Sequence, residues 1–269
     1  MARQFATPLE AQAVATSRRR DGASAPADGR ARLGFVADDR AASNAYFVCK
    51  RVLDVVVAIL LGILVVPLVP VVVLAIKIDS PGPALFRQER VRGRRVRTGG
   101  TTGWEVVPFS LLKFRTMHIG ADTDAHRAYM TAYIVGDEDY LSTLRADRKP
   151  GDSYRPAADP RITRVGAVLR KLSIDEIPQL WNVLRGEMSI VGPRPPVPYE
   201  VELYDEWALG RMAAPGGITG LAQVRGRCTV GFEEMVQLDL DYIARRSIWR
   251  DLQILFLTVP VVLSRKGAG

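Results

Sequence analysis

Asp175 and Glu176 stand side by side in the stretch Lys171–Pro196, KLSIDEIPQLWNVLRGEMSIVGPRPP. Arg161, Arg164, Arg170 and Lys171 lie upstream of them, and Arg194 follows in a Gly192-Pro193-Arg194-Pro195-Pro196 turn. Carboxylates among cations suit phosphate chemistry: the carboxylates attack or hold a metal, and the cations hold an anionic substrate. Each piece also has a plainer reading. Ser173-Ile174-Asp175-Glu176 fits the S-x-x-E capping box, in which the Glu reaches back to the cap N–H, and that alone accounts for Ser173 and Glu176. Pro178 sits awkwardly in a helix begun at Ser173, because an interior proline loses a backbone donor and clashes one turn back. A helix starting near Pro178, with the dyad in the loop before it, is equally consistent. In both arrangements the dyad lies near a helix N-terminus, whose partial positive charge favours anions.

The elements that must position these groups follow from pattern. Asp159–Leu172 reads as a helix with Val165, Val168, Leu169 and Leu172 on its core stripe, and Gln179–Leu184 as a short helix closed by Gly186. Leu85–Gln88 and Trp104–Phe109 read as short strands around a Gly/Thr loop. In Ser110–Met117, SLLKFRTM, Lys113 and Arg115 are two apart, hence on one side of an extended segment; a solvated surface pair is the plainer alternative. His118–Tyr154 is polar, helical from about Ala121 to Ala132 and then irregular. Val197–Met212 reads as an amphipathic helix whose Tyr199, Leu203, Tyr204 and Trp207 suit a membrane interface or a core equally. Phe232–Tyr242 is helical, and Leu252–Leu263 is apolar, too short to span a bilayer and interrupted by Pro260. The fold class expected is α+β, mainly helical.

Charge narrows the partner. The 269 residues carry a formal net charge of +8 and a pI of about 9.8, which points to nucleic acid, anionic lipid or a phosphorylated small molecule. Arg87–Arg97, RQERVRGRRVR, holds six arginines and one acid. Zinc-finger and RNA-binding signatures are absent, and the apolar run just upstream makes an anionic membrane surface the better partner for this cluster. Cys49 and Cys228 offer no disulfide or metal framework. His118 and His126, without cysteine partners, are poor metal ligands, and a His-based nucleophilic triad is not supported.

Met1–Asn44 has too little apolar pattern to offset the entropy of ordering it, so a disordered cytoplasmic tail over residues 1–44 is expected, without a signal-peptide core. Val52–Ile76 is almost wholly apolar and long enough to span a bilayer. Asp54 near its entry, able to stay at headgroup level, and Pro67 and Pro70 at mid-depth argue against a plain span. So do the basic flanks, with Lys50 and Arg51 before and Lys77 and the arginines after. Basic residues mark the cytoplasmic side, so two basic ends favour a helix–break–helix entering and leaving by one face over a single span or a buried core helix. Ile78-Asp79-Ser80-Pro81-Gly82-Pro83 then marks the exit turn, and the arginines beyond it are expected against anionic headgroups.

KRVLD, the proline-broken apolar run, IDSPGPALFRQER, KFRTM, the block from Asp159 to Pro195 and GITGLAQVRGR together resemble the bacterial sugar transferases that are monotopic polyprenyl-phosphate phosphoglycosyl transferases. The resemblance covers roughly Lys50 to Ala268, and its central block is long enough to be specific. It implies a re-entrant membrane helix and exit turn over residues 45–80 and a catalytic domain with interfacial amphipathic helices over residues 81–269, on the cytoplasmic face of the bacterial inner membrane. It implies transfer of a sugar 1-phosphate from a nucleotide-diphosphate sugar, a UDP-sugar above all, to polyprenyl (undecaprenyl) phosphate, releasing UMP, as the first membrane step of exopolysaccharide, lipopolysaccharide or glycoconjugate synthesis. Asp175 is then the nucleophile that forms a phosphosugar–aspartate, and Glu176 the Mg²⁺ ligand. Arg170, Arg194 and Arg227 become phosphate or nucleotide ligands, with Lys113 and Arg115 as further candidates. The partners implied are the nucleotide sugar, the polyprenyl phosphate and anionic membrane lipids, with no nucleic acid and a homodimer left open. The usual Arg-Pro-Gly-Ile-Thr-Gly-Trp order is here Pro215-Gly216-Gly217-Ile218-Thr219-Gly220-Leu221, which removes a cation and a Trp from that loop. Larger relatives carry extra membrane helices ahead of the domain, so the chain looks like a short form with an N-terminal extension. A non-catalytic membrane adaptor that retains nucleotide binding is the competing class, and retention of both carboxylates argues against it. A nucleic-acid-binding protein using the arginine cluster is a third.

Overall fold

The computed structural model describes residues 34–37, 43–98, 101–121, 124–146, 159–226 and 230–263. They form a mainly helical α+β domain from which an apolar helical hairpin projects. The hairpin is α1 (Asn44–Val65) and α2 (Leu68–Asp79), bent by 64° at the break between them. No single described helix is long and apolar enough to cross a membrane, and this bent pair is the one that passes by length and composition together. The bend falls at Val66-Pro67, whereas Pro70 lies in the first turn of α2. There a missing N–H costs nothing, since the first turn has no intrahelical acceptor for it. Beyond Ala58, the last buried residue of α1, residues 59–71 carry no polar side chain, and most are exposed. Both ends of the hairpin pack on the same domain: Lys50, Asp54 and Ala58 of α1 and Val72 and Ile76 of α2 are buried.

Lys50, Arg51 and Asp54 are therefore not headgroup-level flanks. The Arg51 guanidinium donates to Val183 O (2.5 Å) and Leu184 O (2.8 Å), satisfying carbonyls that a helix end leaves open. Lys50 and Asp54 are buried against a strand described below.

The expected pair of short strands is a hairpin of two 14-residue strands, β2 (Leu85–Thr98) and β3 (Thr101–Phe114), each about 45 Å long. β1 (Gly34–Ala37), inside the stretch expected to lack structure, adds antiparallel to β3 from Gly34↔Val106 to Ala37↔Gly103, giving the order β1-β3-β2. The remaining tail, residues 1–33 and 38–42, lies outside the described residues. The arginine cluster is strand β2 rather than a headgroup patch. Arg90 is buried and donates to Pro195 O (2.9 Å), Arg94 pairs with the buried Glu105 (2.8 Å), and Arg95 stacks 4.1 Å over Phe47. Arg94 and Arg95 lie toward the turn end of the hairpin, far along β2 from Leu85 and the exit turn.

After β3 come α3 (Asp124–Val135) and α4 (Glu138–Ala146), the latter in a region expected to be irregular; Gly136, at φ +78°, makes the turn between them. Next are α5 (Arg164–Lys171), a 3₁₀ turn (Ile174–Glu176), α6 (Gln179–Leu184) and β4 (Ser189–Val191). α5 starts later than expected because Thr163 caps it, its hydroxyl accepting from Gly166 N at 2.9 Å. The expected helix over Val197–Met212 is broken into α7 (Pro198–Val201), α8 (Glu206–Leu209) and a 3₁₀ turn (Gly210–Met212). Asp205 starts a new helix by capping Ala208 N (2.7 Å), and Tyr204 goes to the core rather than to an interface. β5 (Gly217–Thr219) pairs parallel with β4. Last come α9 (Leu221–Arg225), α10 (Phe232–Ala244) and α11 (Ile248–Leu263), which runs through Pro260 without ending there.

One core joins the layers: Trp104, Phe109 and Leu111 of β3 meet Val183 of α6, Val191 of β4 and Tyr242 of α10. Gly93 shows how closely β2 lies on the 3₁₀ turn, since a Cβ there would stand 1.9 Å from Met212 O. Gly93→Ala is expected to cost at least about 2 kcal/mol, because backbone rather than a flexible side chain would have to move. Thermal unfolding of the purified variant checks this, and a midpoint equal to wild type would show that the contact is looser than described.

Candidate active site

The dyad occupies the 3₁₀ turn Ile174–Glu176, between α5 and α6. Ser173 does not cap it. Its φ is +56°, the one positive φ at a non-glycine among the described residues, and its side chain makes no cap hydrogen bond. The expected capping box is absent because Ser173 is used as a left-handed link between α5 and the 3₁₀ turn, a conformation that costs on the order of 1 kcal/mol for a non-glycine residue. Such strain persists where the surroundings over-determine it. Here the link places Asp175 in a buried position and leaves Glu176 partly buried.

Glu176 is held between two cations from different elements. Its Oε1 lies 3.4 Å from Lys113 Nζ, near the end of β3, and 3.4 Å from Arg194 Nη1, in the turn after β4. Burial alone would raise the Glu176 pKa. The charges of Lys113 and Arg194 outweigh it and bring the carboxyl down to about 2. Lys113 moves the other way: burial pushes its ammonium down to about 8, and the attraction of Glu176 only partly offsets this. Arg90, under the same turn, is pushed down to about 10 by burial and then by the charge of Arg194. Lys113, Arg90, Arg194, Gln179, Pro195 and Leu111 line a small cleft at this point. This concentration of cations at an ionised carboxylate is an anion-binding arrangement.

The turn carrying Arg194 is fixed from all sides. Gly192 N donates to Thr219 O (2.8 Å) and Gly217 N to Pro193 O (2.8 Å). Arg90 Nη1 donates to Pro195 O (2.9 Å), and Val91 N to Pro196 O (2.9 Å). The buried Arg211, paired with Asp239 at 2.7 Å and donating to the Tyr204 hydroxyl oxygen at 2.8 Å, reaches Arg194 O at 3.4 Å. The Pro215–Gly220 loop, where a cation and a Trp were missed, lies directly on this turn: a Cβ on Gly217 would stand 2.1 Å from Gly192 N. The other side of the site is tied by Asn182, 1% exposed, which accepts from Leu112 N (3.0 Å) and donates to Ser110 O (2.7 Å). That amide joins α6 to β3 one residue from Lys113, and so fixes the distance from Lys113 to the dyad.

The remaining candidates divide. Arg170 ends α5, and its Nε donates to Thr116 Oγ1 (2.8 Å). Arg115 has partners of its own. It lies just past β3, buried, donating to Pro81 O (2.6 Å) and Ser80 O (2.7 Å), so it fastens the exit turn. Arg161 is matched by Asp159 through paired hydrogen bonds of 2.9 and 2.8 Å. Arg227 and Cys228 lie outside the described residues. Arg90 and Asn182 were missed as site residues: Arg90 was counted into a headgroup patch, whereas a lone amide in the apolar run Leu180–Leu184 was a usable signal for Asn182. No group of three or more His, Cys, Asp or Glu side chains able to hold a metal occurs among the described residues. An adjacent Asp–Glu pair does fit Mg²⁺, which commonly takes one or two carboxylates and completes its shell with water and substrate phosphates.

Position matters as much as charge. Lys113 pairs across the hairpin with Phe86, which is half exposed and only a few residues from the exit turn, so the site lies at the end of β2–β3 that adjoins the α1–α2 hairpin. The bacterial sugar transferase family model matches residues 45–265. The chain belongs to that family. It is 44% identical over 230 residues to a UDP-glucose:undecaprenyl-phosphate glucose-1-phosphate transferase of Caulobacter vibrioides, covering 81% of this chain and 71% of the relative. It is 39% identical over 221 residues to the exopolysaccharide production protein ExoY of Sinorhizobium fredii, covering 82% and 88%. It is 37% identical over 220 residues to an undecaprenyl-phosphate galactose phosphotransferase of Salmonella typhimurium, covering 81% of this chain but 41% of that relative.

Asn182→Ala is expected to cost about 2–4 kcal/mol, because Leu112 N–H and Ser110 C=O lose their partner inside the protein. A thermal unfolding midpoint lowered by several degrees checks this; one within about a degree of wild type would mean that water replaces the amide.

Proposed function

We propose that this sugar transferase moves a sugar 1-phosphate from a UDP-sugar to polyprenyl phosphate by double displacement on Asp175. The observation that carries the reading is the pairing of a buried carboxylate, Asp175, with a neighbouring carboxylate held by Lys113 and Arg194 at the hairpin end of the domain. An Asp175 carboxylate oxygen attacks the β-phosphorus of the donor. The bond from that phosphorus to the bridging oxygen breaks, and UMP leaves with the bonding pair. A phosphate oxygen of the polyprenyl phosphate then attacks the phosphorus of the phosphosugar–aspartate, the acyl-phosphate bond breaks, and the carboxylate is regenerated. Splitting the transfer in two lets each anionic partner meet the site separately. Arg194 and Lys113 offset the charge of the diphosphate, and the fixed turn under Arg194 means little reorganisation is needed when it binds. Glu176, ionised at any physiological pH, would hold Mg²⁺, and that ion would supply further neutralisation of the diphosphate.

The same reading places the protein at the cytoplasmic face of the inner membrane. The apolar, wholly non-polar tip of the α1–α2 hairpin and the attachment of both its ends to one domain support a re-entrant rather than a spanning arrangement. Exposed Trp249, Phe256 and Leu263 on α11 add apolar surface beside it. The name of the Sinorhizobium fredii relative supports exopolysaccharide synthesis as the setting.

Asp175→Asn is expected to reduce lipid-dependent UMP release to background, because an amide cannot form the acyl phosphate. Release near the wild-type rate from a panel of UDP-sugars would remove Asp175 as nucleophile. A pH test follows from Lys113. In protein kept metal-free with a chelator, affinity for UDP is expected to weaken as the pH rises through about 8, where the depressed ammonium loses its proton. Lys113→Arg should flatten that limb, since guanidinium stays charged. A flat wild-type profile would show that Lys113 does not contact the anion.

A further inference from the structure

We propose that Lys50 and Asp54 of α1 are positioning residues for Arg194, acting through β4. All three residues of this strand are gripped on one side by α1. Asp54 Oδ1 accepts from Ser189 Oγ (2.9 Å) and from Ile190 N (2.9 Å), and Lys50 Nζ donates to Val191 O (2.9 Å). The other edge of β4 pairs with β5, Ser189 with Gly217 and Val191 with Thr219. The helix therefore supplies one donor and one acceptor that a neighbouring strand would otherwise give, Lys50 Nζ to Val191 O and Asp54 Oδ1 to Ile190 N.

The two charged groups are deeply placed, Lys50 at 2% and Asp54 at 4% exposure. Lys50 is matched by Asp251 of α11 at 3.1 Å, which is itself fully buried and accepts from the Tyr242 hydroxyl at 2.7 Å. Buried ion pairs give poor return as stability devices, because apolar groups of the same size commonly do as well, but they do fix one arrangement against others. What this one fixes is the start of the Arg194 turn. Two residues separate Val191 from Arg194, and there is no slack in them: a Cβ on Gly192 would stand 2.2 Å from Pro215 O, and Pro193 O is bonded to Gly217 N. A shift of β4 is passed directly to the Arg194 side chain. Because α1 runs on into the apolar hairpin, one rigid helix holds both the membrane element and the phosphate-handling turn. The inference rests on the transferase reading, in which Arg194 meets the diphosphate of the donor.

The test is a double-mutant cycle on UDP binding by the full-length protein in detergent, measured calorimetrically with Asp54→Ala, Arg194→Ala and both together. Asp54→Ala is expected to weaken UDP binding about tenfold in the wild-type background and by less than about twofold once Arg194 is gone. Asp54→Asn, which keeps an acceptor oxygen for Ser189 and Ile190, should recover most of the loss. An equal loss in both backgrounds would mean that Asp54 only stabilises the fold, and unchanged binding would mean that β4 does not need it; each overturns the proposal. If Asp54→Ala does not yield folded protein, Ser189→Ala, which removes one of the two donors to the same oxygen, takes its place with the same expectations. The wild-type arm reports on the transferase reading separately: no UDP binding there removes that reading, and this proposal with it.

Discussion

The site depends on one carboxylate, Glu176, being shared by cations from two otherwise separate parts of the fold. Lys113 arrives on a long antiparallel strand, and Arg194 arrives in a proline-flanked turn after a three-residue parallel strand. Neither cation has a local reason to be there. Bringing them together requires β3 to be tied to α6, which Asn182 does, and the turn to be tied to β2 and the Pro215–Gly220 loop, which Arg90 and the close-packed glycines do. The buried Arg211–Asp239 pair then supports the turn from behind. The catalytic geometry is thus a property of the whole domain, and the dyad's own short 3₁₀ turn contributes mainly a strained link at Ser173.

The position of this site is set by the same constraints. In the proposed reading, a soluble donor and an acceptor whose phosphate lies among lipid headgroups meet at the membrane surface. The exit turn after α2 is fastened by Arg115, which takes the carbonyls of Ser80 and Pro81, and Asp79 accepts from Val165 N at the start of α5 (2.9 Å). That helix ends just before the dyad. The apolar hairpin and the dyad are therefore connected through short, hydrogen-bonded segments rather than through a flexible linker, which would suit the proposed chemistry at a fixed height.

Much of this was legible in the sequence, and the failures have a common cause. The dyad, the arginine turn, the broken apolar run and the short helix before Gly186 all follow from local signals: adjacent charges, proline and glycine punctuation, and periodicity. The charged residues were misread wherever their partners are distant in sequence. Lys50 and Asp54 read as membrane flanks, but their partners are Val191, Ser189, Ile190 and Asp251, well over a hundred residues away. Arg90 and Arg94 read as headgroup contacts because six arginines in eleven residues look like a patch; in the strand these two share a face but meet different partners, Pro195 O and Glu105, while Arg95 on the opposite face stacks over Phe47. Arg115 shares a motif with Lys113, but its guanidinium is taken up by the carbonyls of Ser80 and Pro81, which are distant in sequence. The single helix expected over Val197–Met212 failed because Asp205 restarts the chain with a cap of its own.

The claim at the centre of this account is that Asp175 becomes covalently phosphorylated by the donor. It is tested most directly by mixing purified protein with each of a panel of UDP-sugars in the absence of polyprenyl phosphate, quenching rapidly and analysing the peptides by mass spectrometry. The account predicts a sugar-phosphate adduct on the peptide that carries Asp175, accompanied by UMP in amounts no greater than the enzyme present, and loss of the adduct when polyprenyl phosphate is added. An enzyme that turns over with lipid present yet never shows the adduct, and releases UMP only when both substrates are bound, would contradict it and require direct transfer between the two.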